Sequence, residues 1–117
     1  MQTEIQQNVV EKTLDDLRRS GALSGVDVAN FVEVSKATVS RWSSGKVTPR
    51  TDTQLILSDL RYVVEKLSEF YTPQEVRTWI YSRNDLLEGR RAMELIQENR
   101  TEVVLDAIDQ LSSLNYA

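Results

Sequence analysis

Residues 26–49 read VDVANFVEVSKATVSRWSSGKVTP, a pattern that predicts two short helices joined by a tight turn. Apolar residues stand where the two crossing helices would touch, at Val28, Ala29, Val32, Val39 and Trp42. Ser35 is a suitable N-cap for the second helix, and Gly45 ends it. The stretch therefore predicts a helix-turn-helix unit.

The outward face of the second predicted helix carries side chains that suit DNA. From Val34 to Thr51 there are 18 residues without an acid, and four bases give them a local charge of +4. The other 99 residues carry 10 bases and 18 acids. Arg and Lys donate to phosphate or guanine, and Ser and Thr bond to either. The alternative is a chance cluster of bases on a solvated face.

This stretch resembles the Xre (Cro/repressor-like) helix-turn-helix family. The matching residues are Val28-Ala29, Val34-Ser35, Val39-Ser40-Arg41-Trp42, Gly45 and Pro49. The family often has glycine where Glu33 stands, so we expect a left-handed backbone there or a different turn.

The resemblance implies which residues would contact DNA. Contacts with base edges are implied for Lys36, Ala37, Thr38 and Arg41. Contacts with phosphates are implied for Ser35, Ser44, Lys46 and Arg50. Four basic contacts bind weakly, so specific binding would need a dimer that reads two half-sites.

The rest of the chain shows helical periodicity and no strand pattern, which predicts an all-α fold of about seven helices. Apolar positions predict a scaffold helix over 51–71. Its stripe could instead form a coiled-coil dimer, but it spans only about two heptads, so we expect it to pack within the chain. Gly21 is expected as the left-handed cap of the first helix. The predicted helix starts are Ser24 with Asp27, Thr51 with Gln54, Thr72 with Glu75, and Asn99 with Glu102.

The C-terminal part is acidic and exceeds what a helix-turn-helix unit needs. It resembles the MbcA/ParS/Xre antitoxin toxin-binding domain, and with the preceding unit the resemblance covers nearly the whole chain and is closest to MbcA-type antitoxins. The matching residues are Trp79, Asn84, Leu86-Leu87, Gly89, Leu95-Ile96, Val103-Val104, Ile108 and Leu111. We therefore expect an N-terminal helix and helix-turn-helix unit in 1–50, a connecting scaffold helix in 51–72 and a toxin-binding domain in 73–117. The Xre-like unit would pack through the central helix onto the small C-terminal unit.

The resemblance implies that the partner is a RES-domain toxin, an enzyme that degrades NAD⁺, and that the antitoxin occludes the toxin's active site. It implies toxin contacts from Arg83, Asn84, Arg90, Arg91, Asn115, Tyr116 and Ala117. It also implies repression of the protein's own operon through operator DNA, by a homodimer or a larger hetero-oligomer with the toxin.

Several alternatives stay open for this C-terminal part. Trp79, Leu86 and Leu87 could belong to the core, and the tail could be a frayed terminus. Arg90 and Arg91 could bind acidic faces of a second copy. The whole protein could be a stand-alone helix-turn-helix transcriptional regulator whose C-terminal unit only dimerises.

Composition excludes several kinds of chemistry. The chain has no Cys and no His, which excludes disulfides, the usual zinc sites and serine–histidine triads. Its 4 glycines form neither a P-loop nor a dinucleotide fingerprint. We therefore expect no enzyme activity, no metal and no cofactor. Apolar runs are too short for a membrane span and the N-terminus lacks a targeting peptide, so we expect a cytoplasmic protein.

Overall fold

The computed structural model describes the backbone of residues 2–116 and the side chains of residues 9–114. Over that range the chain forms seven α-helices, a two-stranded antiparallel ribbon and one 3₁₀ turn. The helices are α1 (Gln2–Gly21), α2 (Gly25–Val32), α3 (Lys36–Ser43), α4 (Thr51–Leu67), α5 (Pro73–Tyr81), α6 (Ala92–Gln97) and α7 (Thr101–Tyr116). The ribbon consists of β1 (Arg83–Asn84) and β2 (Arg90–Arg91), with the 3₁₀ turn Asp85–Leu87 between them.

The all-α prediction is confirmed, but the expectation of no strand is wrong at the ribbon. Two residues per strand are too few to produce an alternating pattern of apolar and polar residues. The periodicity of apolar residues therefore could not predict the ribbon.

Helix α4 is the scaffold of the fold. It packs against α1, α6 and α7. Its buried residues are Leu57, Leu60, Val63, Val64 and Leu67. The apolar stripe thus packs within the chain, as predicted. The helix ends at Leu67 rather than at residue 71, because the amides of Glu69 and Phe70 bond three residues back, to the carbonyls of Lys66 and Leu67, at 3.3 and 3.0 Å.

Gly21 lies where α1 approaches α4 closely. A Cβ at this position would be 3.2 Å from both γ-carbons of Val64, a tight contact. The expectation that Gly21 is left-handed is wrong, because the residue with positive φ is Ala22, at 53°. Gly21 thus permits the close approach of α1 to α4, and the turn depends on Ala22.

Two of the predicted helix starts are confirmed as capping boxes. The Ser24 hydroxyl accepts the Asp27 amide at 3.3 Å, and the Asp27 carboxylate accepts the Ser24 amide at 2.7 Å. The Thr72 hydroxyl accepts the Glu75 amide at 3.3 Å, and the Glu75 carboxylate accepts the Thr72 amide at 2.9 Å. In each box two backbone amides without helical partners are satisfied.

The other two predicted starts are wrong by one or two residues. Arg50 is the N-cap of α4, so Thr51 is already helical and its side chain comes one residue too late to cap. The Gln54 side-chain amide instead donates to the Pro49 carbonyl at 2.7 Å. Asn99 has a left-handed backbone with φ of 62° and closes α6, so α7 begins at Thr101.

A single hydrophobic core joins the helices that precede α4 to those that follow it. Helix α5 packs against α1 and α6, and α2 packs against both α3 and α6. The Gln97 side-chain amide of α6 donates to the Phe31 carbonyl of α2 at 2.9 Å. The elements before and after α4 therefore hold each other in place.

Candidate functional site

The sequence of the α2–α3 turn fixes how α3 is presented. Glu33 has φ of 58° and ψ of 49°, so the left-handed backbone expected at this position is present without glycine. The Val34 amide then bonds to the Ala29 carbonyl at 2.9 Å and closes α2. Ser35 caps α3 as predicted, because its hydroxyl accepts the Thr38 amide at 3.1 Å.

The buried side of α3 determines which residues face the solvent. Val39 and Trp42 are buried, as predicted. We use the name α3 surface for the eight residues predicted to contact DNA: Ser35, Lys36, Ala37, Thr38, Arg41, Ser44, Lys46 and Arg50. Thr38 is half-buried and the other seven are exposed.

Three side chains of the α3 surface form a hydrogen-bonded chain. The hydroxyls of Ser35 and Thr38 are 2.9 Å apart, and an Nη atom of Arg41 donates to the Thr38 hydroxyl at 3.2 Å. The residues are spaced by three along the helix, so they share one face. The Arg41 guanidinium is thereby directed toward the N-terminal end of α3.

The C-terminal end of the α3 surface is less free than the sequence indicated. The Ser44 hydroxyl donates to the Arg41 carbonyl at 3.1 Å. Arg50 lies 3.4 Å from Asp52, an acid just beyond the acid-free stretch. Both side chains of this pair are exposed, so the pair contributes little stability and can open. Sequence reasoning missed Asp52, although an acid in the first turn of the next helix is a common signal.

The ribbon brings together four residues that were predicted to contact the toxin. Arg83 pairs with Arg91 across the ribbon, and Asn84 pairs with Arg90. Gly89 makes the bend, with φ of 79°. Three cations and one amide therefore meet on one small edge of the molecule.

The four ribbon side chains differ in how strongly they are engaged. Arg83 is exposed and donates to the Gly89 carbonyl at 3.2 Å. The Asn84 side chain accepts the Leu86 amide at 2.9 Å. Arg91 donates to the Tyr81 carbonyl at 2.9 Å, and Arg90 forms an ion pair with Glu98.

Glu94 of α6 adds negative charge beneath the ribbon. It lies 3.7 Å from Arg91 and 4.0 Å from Arg90. The Arg91 backbone amide donates to its carboxylate, and this bond together with the nearby arginines holds the pKa of Glu94 below its usual value. Arg90 and Arg91 are thus partly neutralised, and Arg83 is the ribbon cation most available to a partner.

A groove of about 490 Å³ runs beside the ribbon. Its lining residues are Tyr71, Gln74, Glu75, Thr78, Trp79, Ser82, Arg83 and Asn84. Trp79 is half-buried on the wall of this groove, so the core alternative holds for it only in part. The core alternative holds for Leu87, which is buried, but not for Leu86, which is exposed.

Sequence reasoning missed a charged network that joins α2 to α5. An Nη atom of Arg77 lies 2.6 Å from the Asp27 carboxylate, and the Tyr81 hydroxyl donates to the same carboxylate at 2.7 Å. The Arg77 guanidinium also lies 4.9 Å from the centre of the Tyr81 ring. No local pattern could reveal this, because the partners are 50 and 54 positions apart.

The network shifts the pKa of two of its members. Partial burial opposes ionisation of Asp27, but hydrogen bonds from Arg77, Tyr81 and Ser24 outweigh it and hold the Asp27 pKa well below its usual value. Burial, followed by the hydrogen bond to Asp27, raises the pKa of Tyr81 to about 12. Asp27 is therefore both the cap partner of α2 and the anchor of α5.

The remaining predicted toxin contacts, Asn115, Tyr116 and Ala117, lie outside the residues whose side chains are described. Within the described part of the chain, no helix is long and apolar enough to cross a membrane. The same part contains no cluster of three or more acidic residues that could hold a metal ion.

Comparisons with known proteins identify close relatives. No protein-family model matches the chain. The mycobacterial cidal antitoxin MbcA of Mycobacterium tuberculosis is 30% identical over 105 residues, which are 90% of this chain and 93% of that protein. MbcA of Mycobacterium bovis matches to the same extent. A chain in the crystal structure of the M. tuberculosis MbcT–MbcA toxin–antitoxin complex superposes with a TM-score of 0.78 and 31% identity, over 91% of this chain and 96% of that chain.

Proposed function

The chain belongs to the MbcA family of antitoxins, and on that premise we propose that it is the antitoxin of a toxin–antitoxin pair whose toxin is a RES-domain enzyme that degrades NAD⁺. The observation that carries the proposal is the likeness, over nearly the whole chain, to a structure solved as a toxin–antitoxin complex. An antitoxin that covers the entrance to the toxin's active site excludes NAD⁺ and so stops its degradation. Binding alone suffices for this role.

The proposed toxin-contact surface is the ribbon together with the tail residues Asn115, Tyr116 and Ala117. The ribbon's support is its concentration of cations on one edge, of which Arg83 is exposed and bonded to a backbone carbonyl. An exposed arginine can exchange such a bond for an acidic group on a partner at small cost. Arg83 is therefore the residue with which to test this surface.

The test measures NAD⁺ degradation by the purified toxin while the full chain is titrated in. Arg83→Glu is expected to raise the half-inhibitory concentration about tenfold, since reversing one interfacial charge is worth about 1.4 kcal/mol or more. Arg41→Glu makes the same charge change on the α3 surface and should inhibit like the wild type.

Two results would overturn parts of this proposal separately. Unchanged inhibition by both Arg83→Glu and a variant lacking residues 115–117 would show that the contact surface is elsewhere. Failure of the wild-type protein to inhibit the toxin at any ratio would reject the antitoxin role itself.

A second proposed function is repression of the protein's own operon, with α2 and α3 acting as a helix-turn-helix unit. The supporting observation is the outward face of α3, which carries exposed bases and the positioned Arg41 guanidinium. With four cations per unit, a plot of the logarithm of the binding constant against the logarithm of the salt concentration should have a slope of about −4 for one unit. Operator binding by this protein would therefore need two units on one site.

A gel-shift experiment with the upstream promoter, alone and with the toxin, tests this second function. We expect the protein to retard its own upstream promoter at low salt and not at high salt. An unrelated promoter should not be retarded. A stand-alone regulator would retard the promoter but would leave NAD⁺ degradation by the toxin unaffected. Absence of any shift would limit the α2–α3 unit to a structural role.

Both functions fit a division of labour along the chain. Residues 1–50 would supply the DNA contacts, 51–72 the scaffold and 73–117 the toxin contacts. The proposed site of action is the cytoplasm, where operator DNA lies.

A further inference from the structure

The guanidinium of Arg41 is directed back along α3, although Arg41 itself lies near the end of that helix. An Nη atom of Arg41 donates to the Thr38 hydroxyl at 3.2 Å, and that hydroxyl lies 2.9 Å from the hydroxyl of Ser35. The Ser35 hydroxyl also accepts the Thr38 amide at 3.1 Å, which fixes its position at the start of the helix. A chain of three side chains therefore leads from the N-cap to the exposed cation.

The hydroxyl of Thr38 is already engaged inside this chain. It accepts from Arg41 and shares a bond with Ser35, and Thr38 is half-buried whereas the other two residues are exposed. A hydroxyl has one proton and two lone pairs, so these two bonds leave it one further bond. The bonds give Thr38 a role through Arg41, which differs from the base contact that the family resemblance implies.

The bond to Thr38 leaves Arg41 able to bind a base with two hydrogen bonds. A guanidinium carries five N–H donors in a rigid plane, and Thr38 takes only one of them. A bidentate contact needs two more, aimed in one direction. An arginine that is already oriented loses less side-chain freedom on binding than a freely rotating one. Thr38 therefore prepares Arg41 for a planar, two-acceptor partner.

The side-chain chemistry of the α3 surface favours guanine as that partner. Adenine is bound bidentately by Asn or Gln, and cytosine donates to Asp or Glu. The eight residues of the α3 surface include neither an amide nor a carboxylate side chain. Guanine presents two acceptors, O6 and N7, which match the fork of an arginine better than the flexible point charge of Lys36.

We propose that Thr38 is a positioning residue that orients the Arg41 guanidinium toward the major groove, and that Arg41 thereby selects a guanine in each half-site. The inference rests on the proposed operator binding and adds to it the identity of one base and the means of reading it. Recognition helices contact base edges from their N-terminal part, and the bond to Thr38 brings the Arg41 guanidinium toward that part.

The first test identifies the base and its reader. Duplexes selected from a random library by the full-length wild-type protein should share a guanine at one position of each half-site. That guanine is then replaced by 7-deazaguanine, which pairs normally with cytosine but lacks the N7 acceptor. The replacement should raise the Kd of the wild type about tenfold and leave the Kd of Arg41→Ala nearly unchanged. Selection without a guanine, or equal sensitivity of the two proteins, would overturn the guanine contact.

The second test examines the role of Thr38 with a matched pair of variants. Thr38→Val replaces the side-chain hydroxyl by a methyl group and keeps the backbone amide that Ser35 caps. It should raise the Kd for the guanine site about fivefold and the Kd for the 7-deazaguanine site by less than about twofold. Thr38→Ser retains a hydroxyl and should recover both wild-type constants. Equal weakening on the two sites would show that Thr38 supports only the helix.

A measurement without DNA separates the role of Thr38 from operator binding itself. NMR relaxation should give a lower order parameter for the Arg41 Nε in Thr38→Val than in the wild type and Thr38→Ser. The Nε of Arg100, an exposed arginine beyond α6, is an internal reference and should have one value in all three proteins. An unchanged Arg41 value in Thr38→Val would overturn the positioning role. A wild type that binds no DNA would instead reject operator binding, and the guanine contact with it.

Discussion

The α3 surface and the ribbon both present cations, but the two regions hold them differently. On the α3 surface the positioned side chains are neighbours in sequence, since Ser35, Thr38 and Arg41 are linked at spacings of three. The ion pairs found among residues 9–114 include neither Arg41 nor the two lysines of that surface. In the ribbon, Arg90 contacts Glu98, which directly follows α6, and Arg91 contacts Glu94 of α6.

This difference shows that charge alone does not identify a binding site. A cation without an acid beside it can bind a phosphate without breaking an ion pair. A cation already in an ion pair must exchange one partner for another, so binding gains less from it. Arg41 thus suits the proposed DNA contact. Arg90 and Arg91 stabilise the ribbon, so Arg83 is the arginine that we expect to contribute most to the proposed toxin contact.

The largest expected effect concerns Asp27, which connects α2, the helix before the α3 surface, to α5, the helix before the ribbon. Asp27→Ala should lower the free energy of unfolding by about 2–3 kcal/mol, because it removes a helix cap partner and leaves Arg77 and Tyr81 without their acceptor. Urea denaturation measures the change. Asp15→Ala breaks only exposed pairs on α1 and should leave the free energy of unfolding nearly unchanged.

The dependence of the free energy of unfolding on pH should also show the contribution of the Asp27 network. Because the Asp27 pKa is lowered in the folded state, its contribution is complete above the unfolded value of about 3.9 and is lost as pH falls below it. The Tyr81 pKa is raised to about 12, so its contribution is complete below about pH 10 and is lost as pH rises toward 12. Equal acid sensitivity in Asp27→Ala and the wild type would contradict this assignment.

The next effect concerns Arg41 of the α3 surface. Arg41→Ala should weaken operator binding about tenfold and reduce the salt slope by about one per unit, while the protein stays folded. Gel shifts at several salt concentrations measure both quantities. Toxin inhibition should be unchanged, and equal loss of both activities in a folded Arg41→Ala would reject separate sites.

A smaller effect compares two arginines of the ribbon. Arg91→Ala should lower the free energy of unfolding by about 1 kcal/mol, because it removes the bond to the Tyr81 carbonyl and the contact with Glu94. Arg83→Ala, whose side chain is exposed, should change it by less than about 0.5 kcal/mol. Thermal denaturation of the two variants decides, and equal losses would show that both arginines are structural.

The smallest effect concerns the turn that presents α3. Glu33→Gly should raise the free energy of unfolding by about 0.5 kcal/mol, since it relieves a left-handed backbone but adds freedom to the unfolded chain. Asn30→Gly, on the exposed side of α2, should instead lower it by about the same amount. Destabilisation by Glu33→Gly would mean that the glutamate side chain matters more than its backbone.

The sequence predicted the features that depend on residues only a few positions apart in the chain. The caps at Ser35 and Thr72 and the buried face of α3 follow from side chains three or four positions apart. The ribbon and the contact between Arg77 and Asp27 depend on residues brought together by the whole fold, and no local pattern records them. Left-handed turns at Ala22 and Asn99 were missed because neither residue is glycine, the usual signal.

The close approach at Gly21 has an evolutionary consequence. The side chain of Val64 leaves little room for a methyl group on α1, since both γ-carbons would lie 3.2 Å from it and would have to shift by a few tenths of an ångström. Relatives that carry alanine or serine at this position should therefore carry a smaller residue than valine at the position of Val64. The two positions are expected to covary across the family, and an alignment deep enough to contain such substitutions can be read directly for it.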